Sequence, residues 1–129
     1  MVTSEVERVY RAYNEAENRH DIKATGRMVG ADLTVSINGV SRLSSGADDD
    51  RANAELFAAY PDYRREIVDI VASGNRGAVR WRMLGSAVDG SGLPDLDVHG
   101  CSVVTVTDGQ LVEAHLYVDE RALTAVLPE

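Results

Sequence analysis

Apolar positions near the start of the chain recur at helical intervals: Val6, Val9, Tyr10 and Tyr13 fall on one stripe. Ser4 and Glu7 have the spacing of a capping box ahead of that stripe, so the pattern predicts an amphipathic first helix. Asp21 is placed to cap a short second helix running to about Met28, and Gly30 breaks it. From there the period changes to two. Leu33, Val35 and Ile37 alternate with Asp32, Thr34 and Ser36, the pattern of a half-buried strand.

Asp48, Asp49 and Asp50 precede Arg-Ala-Asn-Ala-Glu-Leu-Phe and predict a third helix, because acids at a helix N-terminus meet its free amide groups and its dipole. Capping accounts for the three aspartates better than metal binding does. Pro61 disfavours helical geometry at the residue before it, so this helix ends near Tyr60. The remainder reads as sheet. Ile67, Val68, Ile70 and Val71 lie in one strand, and Ser73-Gly74-Asn75-Arg76-Gly77 supplies a turn. In the next strand Val79, Trp81 and Met83 share one face, with Arg80 and Arg82 on the other. A Gly- and Asp-rich loop, Asp89 to Asp95, leads to a strand from Val98 to Val106. Asp108-Gly109 is a strong hairpin signal before a strand from Leu111 to Val118, and Asp119 then opens a short closing helix. Along that last strand Val112, Ala114, Leu116 and Val118 make an apolar face, leaving Glu113, His115 and Tyr117 opposite.

Helices followed by an antiparallel meander predict an α+β fold: a cone-shaped α+β barrel whose N-terminal helices pack on a curved antiparallel sheet and enclose a pocket. No repeat and no linker divides residues 1–129, which read as one domain.

Composition narrows the function. With 13 basic and 21 acidic residues the net charge is -8 and no basic cluster stands out, which argues against nucleic acid as a partner. The lone cysteine, Cys101, forms no intrachain disulfide, and no apolar run approaches a membrane span, so the reading is a cytoplasmic protein without a membrane partner. His20, His99 and His115 are the only histidines and include no close-spaced pair, so no metal site is expected. The sequence also lacks a phosphate-cradling glycine loop and a Gly-x-Ser-x-Gly elbow.

Several strings resemble the SnoaL-like polyketide cyclase family, of the nuclear-transport-factor-2-like superfamily. They are Tyr60-Pro61-Asp62, Ala78-Val79-Arg80-Trp81, His99-Gly100, and Asp108-Gly109-Gln110-Leu111-Val112-Glu113 running on to Asp119. The resemblance implies a cyclase or isomerase that closes or rearranges a polyketide-like or other apolar substrate by acid-base catalysis, with no metal or organic cofactor. It also implies a homodimer through the outer sheet face. Transferred residue by residue, the acid-base role falls on Asp119. The family often carries Trp four residues before this aspartate, where His115 stands here.

The residues themselves leave alternatives open. Asp119 before Glu120-Arg121-Ala122-Leu123 is also a helix cap, and strict alternation puts it on the polar side of its strand unless a bulge intervenes. His99 shares its side of a strand with Cys101 and Val103 and is either a second catalytic group or a structural histidine. Trp81, Tyr13, Tyr10, Asn14, His115 and Tyr117 are the candidate substrate contacts, since aromatic walls are the rule for small-molecule sites. A non-catalytic binding or accessory protein fits the same pattern.

Overall fold

The computed structural model describes residues 4–119. The closing helix expected after Asp119 lies outside the described residues.

Helix α1, Glu5–Asn18, begins where the capping box places it: the Ser4 side chain accepts from the Glu7 amide at 3.0 Å. Val6, Val9, Tyr10 and Tyr13 are all buried along its inner face. Asp21 caps α2, Ile22–Arg27, by accepting from the Ala24 amide. Strand β1, Val29–Ile37, follows directly, so Gly30 lies inside a strand instead of in a break before one. Asn38 and Gly39, at φ 51° and 85°, then turn the chain into β2, Val40–Leu43. Helix α3, Gly46–Ala59, stops at Tyr60, ahead of Pro61.

Four longer strands complete the chain: β3 (Arg64–Ser73), β4 (Arg76–Gly85), β5 (Leu96–Thr107) and β6 (Gln110–Val118). Asp108 and Gly109, at φ 51° and 75°, form the turn between the last two. The sheet runs β2-β1-β6-β5-β4-β3 and is mixed, because β1 pairs with β6 in parallel. The expected sheet was antiparallel throughout. Hairpin signals report only pairings between neighbours in sequence, and the β1–β6 ladder joins Val35 to Ala114, far apart in the chain. The sheet is also open, with β2 and β3 at its edges.

Helices cover the inner face. Val79, Trp81 and Met83 point into it, 0–4% exposed, and pack with Val6, Val9, Tyr10, Leu56, Tyr60 and Tyr63 in one continuous core. The α+β class is therefore as the sequence predicts, with α1 and α3 lying over a curved six-stranded sheet.

Candidate active site

Between α1, α3 and the sheet lies a cavity of about 310 Å³. Its walls are mostly apolar, with Leu33 and Ile37 of β1, Leu56 of α3, Met83 of β4 and Leu116 of β6 among them. A small set of polar side chains interrupts that lining, as binding sites for small molecules require.

Asp49 and Asn53 of α3 are among them. The helix is capped by Ser45, whose side chain accepts from the Asp48 amide, while Asp48 in turn accepts from the Ser44 amide at 3.0 Å. Asp48 thus serves the helix terminus as the sequence suggests. Asp49 does not. One residue further on and turned by about 100° around the helix, it lines the cavity, 8% exposed, on the same face as Asn53 and Leu56. The Tyr13 hydroxyl donates to Asp49 Oδ2 at 2.9 Å, and Asn53 Nδ2 reaches both the Tyr13 oxygen, at 3.2 Å, and Asp49 Oδ2, at 3.5 Å. Burial pushes the Asp49 carboxyl up to about 6, against the Tyr13 hydrogen bond and with help from the Glu17 and Asp50 charges. Burial and the same Glu17 and Asp49 charges keep Tyr13 protonated, hence a donor.

The second group spans α1 and β3. Arg65 pairs in register with Met83, whose side chain points inward, so strand alternation carries the arginine inward too. Its Nη1 lies 3.3 Å from Glu17 Oε1, and the Tyr63 hydroxyl donates to the same oxygen at 3.2 Å. Nη1 also donates to the Tyr10 hydroxyl at 3.2 Å, and the guanidinium carbon sits 4.9 Å from the centre of the Trp81 ring. Burial opposes the Arg65 charge, but Glu17 with Tyr10, Tyr63 and Tyr13 outweighs it and holds the group charged. Trp81 Nε1 donates to Ser102 Oγ at 2.8 Å, which turns a buried indole into a support for a cavity-lining hydroxyl.

The sequence-derived candidates divide accordingly. Tyr10 and Tyr13 line the cavity. Trp81 stands behind its wall, and Asn14 is buried with its amide bonded to the Arg65 carbonyl at 3.1 Å, tying α1 to β3. Elsewhere, the structure leaves the candidates outside the cavity. Asp119 is exposed at the end of β6, and His99 is exposed on the outer sheet face opposite Arg82. Tyr117, 52% exposed, shares that face with His115. His115 bridges Ser36 Oγ, 2.5 Å from Nδ1, and Glu113 Oε2, 3.1 Å from Nε2. The register of β6 causes this split, because Ala114 and Leu116 take the cavity side. Among the described residues, no three His, Cys, Asp or Glu side chains converge as metal ligands.

Asp49, Asn53, Glu17, Arg65 and Ser102 were not among the sequence candidates. Helical spacing was the available signal for four of the cavity's polar groups: Tyr13 and Glu17 are four apart on α1, as are Asp49 and Asn53 on α3.

Residues 10–114 match the family model of the SnoaL-like domain. The chain belongs to the SnoaL-like family. SnoaL-like and related folds surround it structurally. A protein from Jannaschia sp. CCS1 assigned as a SnoaL-like polyketide cyclase superposes with TM-score 0.78 at 17% identity, covering 100% of this chain and 99% of that one. An epoxide hydrolase of the LEH-like type from M. tuberculosis gives 0.78 at 20% identity, covering 96% and 90%. A protein from Kribbella flavida DSM 17836 assigned as a ketosteroid isomerase gives 0.71 at 19%, covering 89% and 78%. At these identities the likeness establishes the fold. No curated protein matches the sequence. No helix among the described residues of this SnoaL-like chain is long and apolar enough to cross a membrane.

Proposed function

We propose that this SnoaL-like protein is a cofactor-independent acid-base catalyst, an isomerase or cyclase acting on a polyketide-like or other apolar small molecule, with Asp49 as the proton-transferring group. One observation carries the reading: a carboxyl group 8% exposed, lining an apolar cavity, held by Tyr13 and Asn53 and pushed up to about 6. Removing a proton next to a carbonyl needs a base that is ionised at working pH yet basic enough to take the proton, and a raised carboxylate meets both needs. Tyr13 and Asn53 fix the rotamer of Asp49, which leaves Oδ1 as the atom available for proton transfer. The apolar walls exclude water from the competing reaction and hold the hydrocarbon part of the substrate. The similarity to proteins assigned as a polyketide cyclase and as a ketosteroid isomerase supports the same class.

The alternative is a binding protein without turnover, favoured by the largely apolar lining. Deuterium exchange at the carbon beside a ketone, measured for wild type and Asp49→Asn, separates the two: loss of exchange in the variant supports catalysis, and absence of exchange despite binding supports carriage. The proposal extends to a cytoplasmic homodimer joined through the outer sheet face, where Val71 and Tyr117 are 66% and 52% exposed. Sedimentation of wild type against Tyr117→Arg tests that contact.

A further inference from the structure

Both tyrosine hydroxyls of the cavity are engaged within the protein. Tyr13 donates to Asp49 and accepts from Asn53. Tyr10 accepts from Arg65 Nη1 at 3.2 Å and shares a hydrogen bond with Ser102, whose Oγ accepts from Trp81 Nε1 at 2.8 Å. Burial raises the Tyr10 hydroxyl above its ordinary range, so it stays a neutral link in this chain.

Arg65 differs from them. Its contacts with Glu17 and Tyr10 both run through Nη1. Nε is buried and has no hydrogen-bond partner among the described residues, on an arginine 9% exposed that lines the cavity. Leaving a buried donor on a cation unmatched is unfavourable, and an acceptor seated beside it removes the penalty. Glu17 holds the guanidinium charged, and the Trp81 ring lies against it, 4.9 Å from ring centre to guanidinium carbon. The Nε–H is thus a charged donor fixed by groups that do not use it.

The same cation acts on the base. The Arg65 charge lowers the Asp49 carboxyl against its burial, so the two groups share one enclosed space. When a carboxylate takes the proton from a carbon beside a carbonyl, the C–H bond breaks and its electron pair forms the C=C bond of an enolate. The negative charge leaves the carboxylate and settles on the former carbonyl oxygen. A preorganised cationic donor at that oxygen lowers the barrier, because it gains most as the charge arrives.

We propose that Arg65 is a second catalytic residue of the cavity: its Nε–H holds the carbonyl oxygen of an apolar ketone and stabilises the enolate that Asp49 generates. Glu17 is a positioning residue in this arrangement, keeping the guanidinium charged through Nη1 while Nε stays with the ligand. The inference rests on the cavity being the ligand site and deepens the catalytic reading by naming the substrate class and the partner of its oxygen.

The test follows the Arg65 Nε–H by proton–nitrogen NMR during titration with β-tetralone and with tetralin, the same bicycle without the oxygen. The signal is assigned by its loss in Arg65→Lys; if that variant does not fold, Glu17→Leu with Arg65→Met replaces it throughout. The ketone is expected to move the Nε–H signal downfield and tetralin to leave it in place. By calorimetry the Arg65 variant is expected to lose about tenfold in affinity for the ketone, the value of a hydrogen bond from a charged group, and to bind tetralin unchanged. Its deuterium-exchange rate at saturating ketone is expected to fall about a hundredfold, as on removal of an oxyanion donor. Failure of wild type to bind the ketone, ketone binding that leaves the Nε–H signal unmoved, equal losses of ketone and tetralin, or undiminished exchange in the Arg65 variant overturns the proposal. The two assignments fail separately. Asp49→Asn that keeps the Nε–H shift but exchanges no proton supports both residues, and normal exchange in that variant defeats the base while leaving the oxygen site standing. An unmoved Nε–H signal alongside exchange that depends on Asp49 defeats the oxygen site alone.

Discussion

The Tyr13 hydroxyl donates a 2.9 Å hydrogen bond to Oδ2 of Asp49, joining α1 to α3 inside the cavity. This contact links fold to function, since it fixes an acid whose proton affinity has been moved by burial.

Stability should depend on pH through Asp49. Its carboxyl is raised from 3.8 to about 6, so between those values the folded chain binds more protons than the unfolded one. Stability from this group is therefore full below the ordinary aspartate range and is lost as pH rises through about 6. The two-unit shift corresponds to about 3 kcal/mol. Asp49→Asn keeps an acceptor for Tyr13 and removes the titration. It is expected to melt higher than wild type at pH 8 and to lose that advantage near pH 4, as thermal unfolding across pH will show.

Glu17 and Arg65 form a buried ion pair whose loss should be asymmetric. Glu17→Ala leaves an arginine 9% exposed without its carboxylate and is expected to cost about 3–5 kcal/mol in urea unfolding. The double variant Glu17→Leu with Arg65→Met removes both charges and is expected to recover most of that loss. A double variant as unstable as the single one would assign the loss to packing instead.

Gly100 is required by the Trp81 ring. A Cβ there falls 2.4 Å from Trp81 Cη2, so Gly100→Ala forces the indole to move and strains its bond to Ser102. Destabilisation of about 1–3 kcal/mol is expected. Trp81 is the chain's one tryptophan, so a shift in its emission reports the displacement directly.

Much of the fold was readable because its signals are local. Ser4 and Asp21 cap the helices their spacing announces, and Asp108-Gly109 turns where such pairs turn. Strand β2 was missed although Asn38-Gly39 carries the same turn signature, because only four residues follow before the chain leaves the sheet. The parallel β1–β6 ladder has no local mark at all. Within the site, Tyr10 and Tyr13 were legible as part of an apolar stripe. Asp49, Arg65 and Glu17 were not, because each stands beside residues of similar character, Asp48 and Asp50, Arg64, and Glu15. Composition cannot tell which member of such a run turns inward. Helix phase selects Asp49 and Glu17, and pairing with Met83 selects Arg65. The expected acid, Asp119, and the expected donor, His99, are both exposed; β6 gives its cavity face to Ala114 and Leu116, and β5 gives its cavity face to Ser102 and Val104.

The most direct test of Asp49 as the proton-transferring group is deuterium incorporation from D₂O into β-tetralone and related apolar ketones, followed by mass spectrometry for wild type, Asp49→Asn and Asp119→Asn. Exchange by wild type is expected to rise as pH passes through about 6, to fall at least a hundredfold in Asp49→Asn, and to persist in Asp119→Asn. Exchange that survives in Asp49→Asn and disappears in Asp119→Asn would contradict it and return the chemistry to the end of β6.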